Sequence, residues 1–245
     1  CHTTFLTTMF TTRGCLEGGV QGKPGFEDFE GYYRSILSLP NGRAQAVIFH
    51  DGLPEGLVRN YTTGDGTVSF AKVDISGYDK SFGPDEVRFK VFEEQVQKHP
   101  EWGTIFMTDI QDVLVVHNPC VLVGKHKEKL FVGSQPSSAK TDNFLKIKFA
   151  KAGGKYLSWF KAEGHDGLPK LNPGIVGGKR SVVLKALGQV NDMLFDKELL
   201  ATRSNKSLKD DMVALNYGAY TAMGQDNVLT GAQLHSKFGA REKRT

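Results

Sequence analysis

The run Ile105-Phe-Met-Thr-Asp-Ile-Gln-Asp-Val-Leu-Val-Val116 constrains the fold more than any other stretch of this chain. Four strand-forming residues lead into two carboxylates, Asp109 and Asp112, and a second apolar run follows at once. Desolvating two like charges together is costly unless a cation compensates, so a buried strand does not ordinarily end in paired acids. The end of this strand is therefore expected at the rim of a sheet. In an open α/β sheet the carboxyl ends of the strands are where ligands bind. Paired acids there suit a divalent metal, and such a metal suits a phosphate-bearing ligand.

The rest of the chain supplies the other layers. His2 to Thr8 reads as a first strand, rich in β-branched and aromatic residues, followed by a glycine-rich loop from Gly14 to Gly25. Between Phe26 and Leu39, Phe29, Tyr32, Tyr33, Ile36 and Leu37 fall near helical spacing, which predicts an amphipathic helix closed by Pro40. Ala44 to His50 is a second buried strand, stopping at His50-Asp51-Gly52, and the alternating Val68 to Ile75 is a third. A helix is expected over Asp85 to Gln97, with acids in its first turn. The Ile105 strand follows, and then a short strand over Lys129 to Gly133. Asn172 to Gly178 reads as a glycine-rich turn leading into a helix from Ser181 to Phe195. A further helix starts near Leu208, and the last 20 residues look irregular. Strands alternating with helices predict one α/β domain over residues 1–245, with a mostly parallel sheet flanked by helices.

Composition narrows the function classes. With 245 residues, 39% apolar and 24% charged, the chain has the balance of a soluble globular protein. A net charge of +4 fits an anionic small molecule but is no nucleic-acid footprint, and the basic tail Arg241 to Arg244 reads as a frayed terminus. No apolar run reaches membrane-spanning length. The chain begins at Cys1 rather than Met and reads as a fragment or processed form, so the lack of a targeting segment carries no weight. Cys1, Cys15 and Cys120 lack metal-ligand spacing and, being odd in number, read as packing thiols. Asn60-Tyr-Thr and Asn205-Lys-Ser are glycosylation sequons, a tripeptide that also arises by chance.

Four constellations carry chemistry, each with a plainer reading beside it. Asp109 and Asp112 offer hard oxygens to Mg²⁺ or Mn²⁺, or else cap a turn. His235 is a candidate ligand with Lys237 as a phosphate partner, or else an exposed loop histidine. Asn172 and the glycines that follow permit close approach of backbone to a ligand, or form a tight turn between core elements. Asp211 opens a helix, where acids are usually caps. No Gly-x-Ser-x-Gly elbow and no zinc-type cluster occurs.

In this order the elements resemble a nucleotide-sugar glycosyltransferase of the GT-A fold, across nearly the whole chain. The closest style is that of eukaryotic and large-virus enzymes with a Thr-Asp-x-x-Asp-Val block, here Thr108 to Val113, and more distantly the glycogenin and bacterial galactosyltransferase group. The resemblance implies a Rossmann-like sheet and an acidic motif that holds Mn²⁺ or Mg²⁺ against the donor diphosphate. Asp109, Asp112 and His235 would be the metal ligands, with Asp109 serving metal or ribose. It further implies that Arg88, in Asp85-Glu-Val-Arg-Phe89, braces the donor. Asn172 with Gly177 and Gly178 would line the sugar and acceptor pocket, and Lys237 would meet a phosphate. Asp211, in Asp-Met-Val-Ala-Leu-Asn216, would face the reacting sugar as the catalytic residue. Thr7, Thr8 and Asp51 would lie near the nucleobase, with His50 beside them. The implied partners are a nucleoside-diphosphate sugar, expected to be UDP-linked, and a glycan or glycoconjugate acceptor. The implied compartment is the Golgi lumen or the cytoplasm. A non-catalytic module of the same fold and a sugar-nucleotide pyrophosphorylase are the alternatives. The latter wants a tight basic glycine loop after the first strand that Gly14 to Gly25 does not match.

Overall fold

Along the first strand Phe5 and Met9 alternate with Leu6 and Phe10, and the two sets enter different hydrophobic clusters. Val47 and Phe49 likewise part from Ala46 and Ile48, and Ile105 and Met107 part from Phe106. A strand apolar on both faces must be covered on both. That single fact gives three layers, with a sheet between two groups of helices.

A computed structural model of the chain describes residues 2–12, 24–40, 43–165, 167–202 and 211–230. In order, its elements are β1 (Thr3–Met9), α1 (Glu30–Leu37), β2 (Ala44–His50), α2 (Glu55–Tyr61) and β3 (Val68–Lys72). Next come α3 (Pro84–Lys98), β4 (Thr104–Thr108), α4 (Cys120–Lys125), β5 (Leu130–Ser138), α5 (Asn143–Ala152) and α6 (Gly154–Lys161). β6 (Pro169–Lys179), α7 (Arg180–Leu194), α8 (Lys197–Thr202), α9 (Asp211–Met223) and β7 (Val228–Leu229) complete the set.

The seven strands form one sheet in the order β3-β2-β1-β4-β6-β5-β7. Parallel pairs join β1 to β2, β1 to β4, β2 to β3 and β5 to β7, while β6 runs antiparallel to both β4 and β5. One strand thus opposes six. The fold is α/β and Rossmann-like, a mostly parallel mixed sheet flanked by helices in one domain.

Side chains of α1 and α2 pack on the face that carries Phe5, Ile48 and Phe106. Those of α3, α7 and α9 pack on the face that carries Leu6, Phe49 and Met107. The chain therefore builds outward from β1 to β3, returns along the other face through α3, and inserts β4 on the far side of β1. The strand order reverses between β1 and β4, which is the crevice where open α/β sheets bind ligands.

Two sequence expectations are corrected here. The segment from Asn172 to Gly178 is no turn but the middle of β6. Gly177 pairs with Phe106, and a β-carbon there would lie 2.3 Å from the Phe106 ring and 2.6 Å from the Ile105 carbonyl oxygen. At Gly178 an added β-carbon would sit 3.0 Å from the Lys129 carbonyl oxygen. Packing between strands accounts for these glycines. The register against β5 shifts between Val132 and Gly133, beside Pro173, which cannot donate to the ladder. Asn172 accepts the Gly174 amide at 2.8 Å across this irregularity.

The second correction concerns sulfur. Cys120 is disulfide-bonded rather than a packing thiol. An odd cysteine count excludes complete pairing but not one bridge.

Among the described residues, no helix is long and apolar enough to cross a membrane. The short helices α2, α4, α5, α6 and α8 are elements that the sequence reading did not anticipate.

Candidate functional site

Three elements distant in sequence deliver one charged junction. Arg88 comes from α3, Asp109 follows the last residue of β4, and Asp211 opens α9. The Arg88 Nη1 donates to Asp109 Oδ1, and its Nη2 donates to Asp211 Oδ2 at 3.4 Å. All three side chains are largely buried, at 10%, 14% and 13% exposure. Burial works against the guanidinium charge, but the Asp109 carboxylate, then Asp211 and Asp85, outweigh it and hold the Arg88 pKa above the ordinary arginine range. Two carboxylates that would repel are thereby brought to one point with a shared cation between them.

Neighbouring backbone fixes each acid. The Asp109 amide donates to the Gly174 carbonyl at 2.9 Å, which extends the β4–β6 ladder to the rim. Asp211 Oδ1 accepts the Met212 amide at 2.7 Å. Asn216 is fully buried and ties α9 to β6, since its Oδ1 accepts from the Leu171 amide at 2.9 Å. The Asn216 amide nitrogen donates in turn to the Leu171 carbonyl at 3.0 Å. Both free backbone groups of Leu171 are satisfied by one side chain from α9, and this sets where Asp211 stands. Thr108, the last residue of β4, donates to the hydroxyl of Tyr32 at 3.2 Å, and burial pushes the Tyr32 phenol well above its usual range.

Asp112 lies partly buried in the loop beyond β4, where Val113 and Val115 pack into the α1 face and Val115 donates to Ser35 Oγ at 3.0 Å. His235 and Lys237 lie outside the described residues. Among the described residues, no three His, Cys, Asp or Glu side chains gather as a metal-binding group.

A second feature occupies the same rim, at the ends of β1, β2 and β3. A cleft of about 1030 Å³ is lined by Thr12, Asp51, Lys72, Asp74, Ser76 and Lys80, with Val73 and Ile75. Asp51 anchors its floor. The carboxylate accepts the Thr11 amide at 2.7 Å, the Thr11 hydroxyl at 3.0 Å, the Thr12 amide at 2.9 Å and the Thr12 hydroxyl. Burial pushes the Asp51 carboxyl up, yet the donors from Thr12 and Thr11 reverse this and hold its pKa below the usual range. Its role visible in the structure is to fasten the chain leaving β1 to the end of β2.

His50 is buried, and its Nδ1 accepts the Leu53 amide at 3.2 Å, so the neutral ring carries its proton on Nε2. Burial lowers its pKa. Thr8 is partly exposed, whereas Thr7 is fully buried on the strand, its hydroxyl without a hydrogen-bond partner among the described residues.

Sequence reasoning passed over Lys72, Asp74, Ser76 and Lys80. Lys72 was nonetheless legible: it closes a parallel strand, and so belongs to the rim that carries Asp51 and Asp109. Compared with protein-family models and with curated proteins, the chain finds no match.

Proposed function

We propose that the chain is a metal-dependent glycosyltransferase that moves a monosaccharide from a nucleoside-diphosphate sugar, UDP-linked by preference, to a hydroxyl of a glycan or glycoconjugate. The observation that carries this reading is the Arg88–Asp109–Asp211 junction at the sheet rim that also holds the cleft at the ends of β1, β2 and β3. Asp109 and Asp112 are hard oxygen donors of the kind Mn²⁺ and Mg²⁺ take, and they would be two of the ligands of such an ion. His235 would be the third. A cation so held supplies Lewis-acid stabilisation to a leaving diphosphate.

The chain's own residues do the rest. Arg88 holds Asp109 and Asp211 at one place and compensates their charge. Asp211 takes the acceptor hydroxyl's proton if the product is inverted, or steadies positive charge on the sugar if configuration is retained. Lys72 and Lys80 put positive charge on the cleft wall, suited to an anionic donor, and Lys237 adds to it. Asp51 acts through Thr11 and Thr12, which it holds in place, and Thr12 lines the cleft. Asn172, Gly177 and Gly178 act through the backbone of β6 against β4. The Cys120 disulfide supports the Golgi lumen over the cytoplasm.

The test is a thermal-melt screen of nucleoside diphosphates and their sugars, with and without Mn²⁺. A metal-dependent rise for one base is expected, and no rise for any would remove the reading. An assay for free nucleoside diphosphate separates an enzyme from a binding module of the same fold.

A further inference from the structure

We infer that Asn60 carries an N-linked glycan. The tripeptide Asn60-Tyr61-Thr62 has a residue other than proline at its centre, which permits modification. Its geometry sorts the three side chains by role. Asn60 and Thr62 are exposed, while Tyr61 turns inward and stacks on Phe26 with ring centroids 4.2 Å apart. The two residues that a glycosylating enzyme must grip thus face solvent, and the one it need not touch is used for packing.

The local backbone suits the reaction as well. α2 is seven residues long and ends inside the tripeptide, since Thr62 is extended at φ −74° and ψ 123°. So short a helix has little stability of its own before it packs, so the tripeptide is open while the chain is being made.

Topology places the site at the far end of the sheet from the candidate functional rim. α2 leaves the carboxyl end of β2 and returns to the amino end of β3. The Thr63 amide donates to the Val68 carbonyl at 2.9 Å, which sets the end of α2 beside the first residue of β3. Asn60 therefore stands at the amino edge of the sheet, opposite the rim that holds Arg88, Asp109, Asp211 and the cleft. Among the described residues, β3 is also an edge strand of the sheet. A hydrated glycan beside it shields an open row of backbone donors and acceptors, a means of blocking edge-to-edge association. The Cys120 disulfide independently indicates the oxidising compartment in which such transfer takes place.

In the step itself, the Asn60 amide nitrogen forms a bond to the anomeric carbon of a lipid-pyrophosphate-linked oligosaccharide. The bond from that carbon to the pyrophosphate oxygen breaks. One amide proton is lost and the lipid pyrophosphate departs, with no change in oxidation state.

The experiment is peptide-N-glycosidase digestion and mass spectrometry of the full chain, purified from the cells that make it. An Asn60 peptide bearing one glycan is expected. Asn60→Gln and Thr62→Ala should each abolish it with one step of gel mobility, Thr62→Ser should keep it, and all three variants should retain nucleotide binding. An unmodified Asn60 overturns the inference, as does a mobility step lost only in Asn205→Gln.

Discussion

Arg88 is the residue on which the candidate site turns, because it is a buried cation with two buried acids. Breaking such an arrangement from one side leaves charge without compensation, and typically costs about 3–5 kcal/mol. Arg88→Met should therefore lower the unfolding free energy by that order, read from urea denaturation, and abolish transfer in whatever fraction remains folded. Asp211→Asn keeps the volume and one acceptor oxygen. It should retain donor affinity and lose turnover; lost affinity with normal turnover would take Asp211 out of the catalytic role. At Asp51 the folded pKa is depressed, so its contribution is present above the unfolded carboxylate range and lost as pH falls through the folded value. Asp51→Asn should thus melt below the wild type at neutral pH, with the gap closing as the pH drops below about 4. His50 works in the same direction. Its folded pKa is lowered, so the unfolded chain binds the extra proton and stability declines as pH falls below about 6.5.

Among the elements, β6 is the strand that everything else must accommodate. It runs against both of its neighbours, carries the register shift at Gly133, and lies under the Phe106 ring at Gly177. Gly177→Ala forces β4 and β6 apart and should cost about 1–3 kcal/mol or more, read as a lower denaturant midpoint. The junction between α9 and β6 makes a sharper test. Asn216→Ala leaves the Leu171 amide and carbonyl unpaired, at roughly 1–3 kcal/mol for each buried group. If α9 is what places Asp211, this variant should lose transfer more steeply than the equally destabilised Gly177→Ala variant. Equal losses would make Asn216 a purely structural anchor.

For the molecule as a whole, the sheet collects its chemistry on one rim, and ligand binding should be visible as global stabilisation. A donor nucleotide at a hundredfold excess over its dissociation constant adds about 2.7 kcal/mol. With Mn²⁺ present that increment should appear in the wild type and vanish in Asp112→Asn, whose melt without ligand should stay almost unchanged. Full metal-linked binding by Asp112→Asn in isothermal titration would remove Asp112 from the metal site.

The sequence by itself determined the strands β1 to β5 and the rim. The near-continuous apolar runs of β2 and β4 read directly as burial on two faces, and the acids after Thr108 mark where a strand must stop being buried. Both are local signals, carried by residues a few positions apart. The Ala44 to His50 strand agrees to the residue, and the long helices α3 and α7 to within a residue or two. Asn172 to Gly178 misled, because glycine in a strand and glycine in a turn look alike until the partner ring of Phe106 is present. Only the tertiary structure decided that β6 opposes its neighbours and that β4 inserts beside β1. It alone brought Arg88 to Asp109 across 21 positions and to Asp211 across 123. Such pairings depend on how far the chain travels around the sheet before it returns, and no local pattern encodes that path.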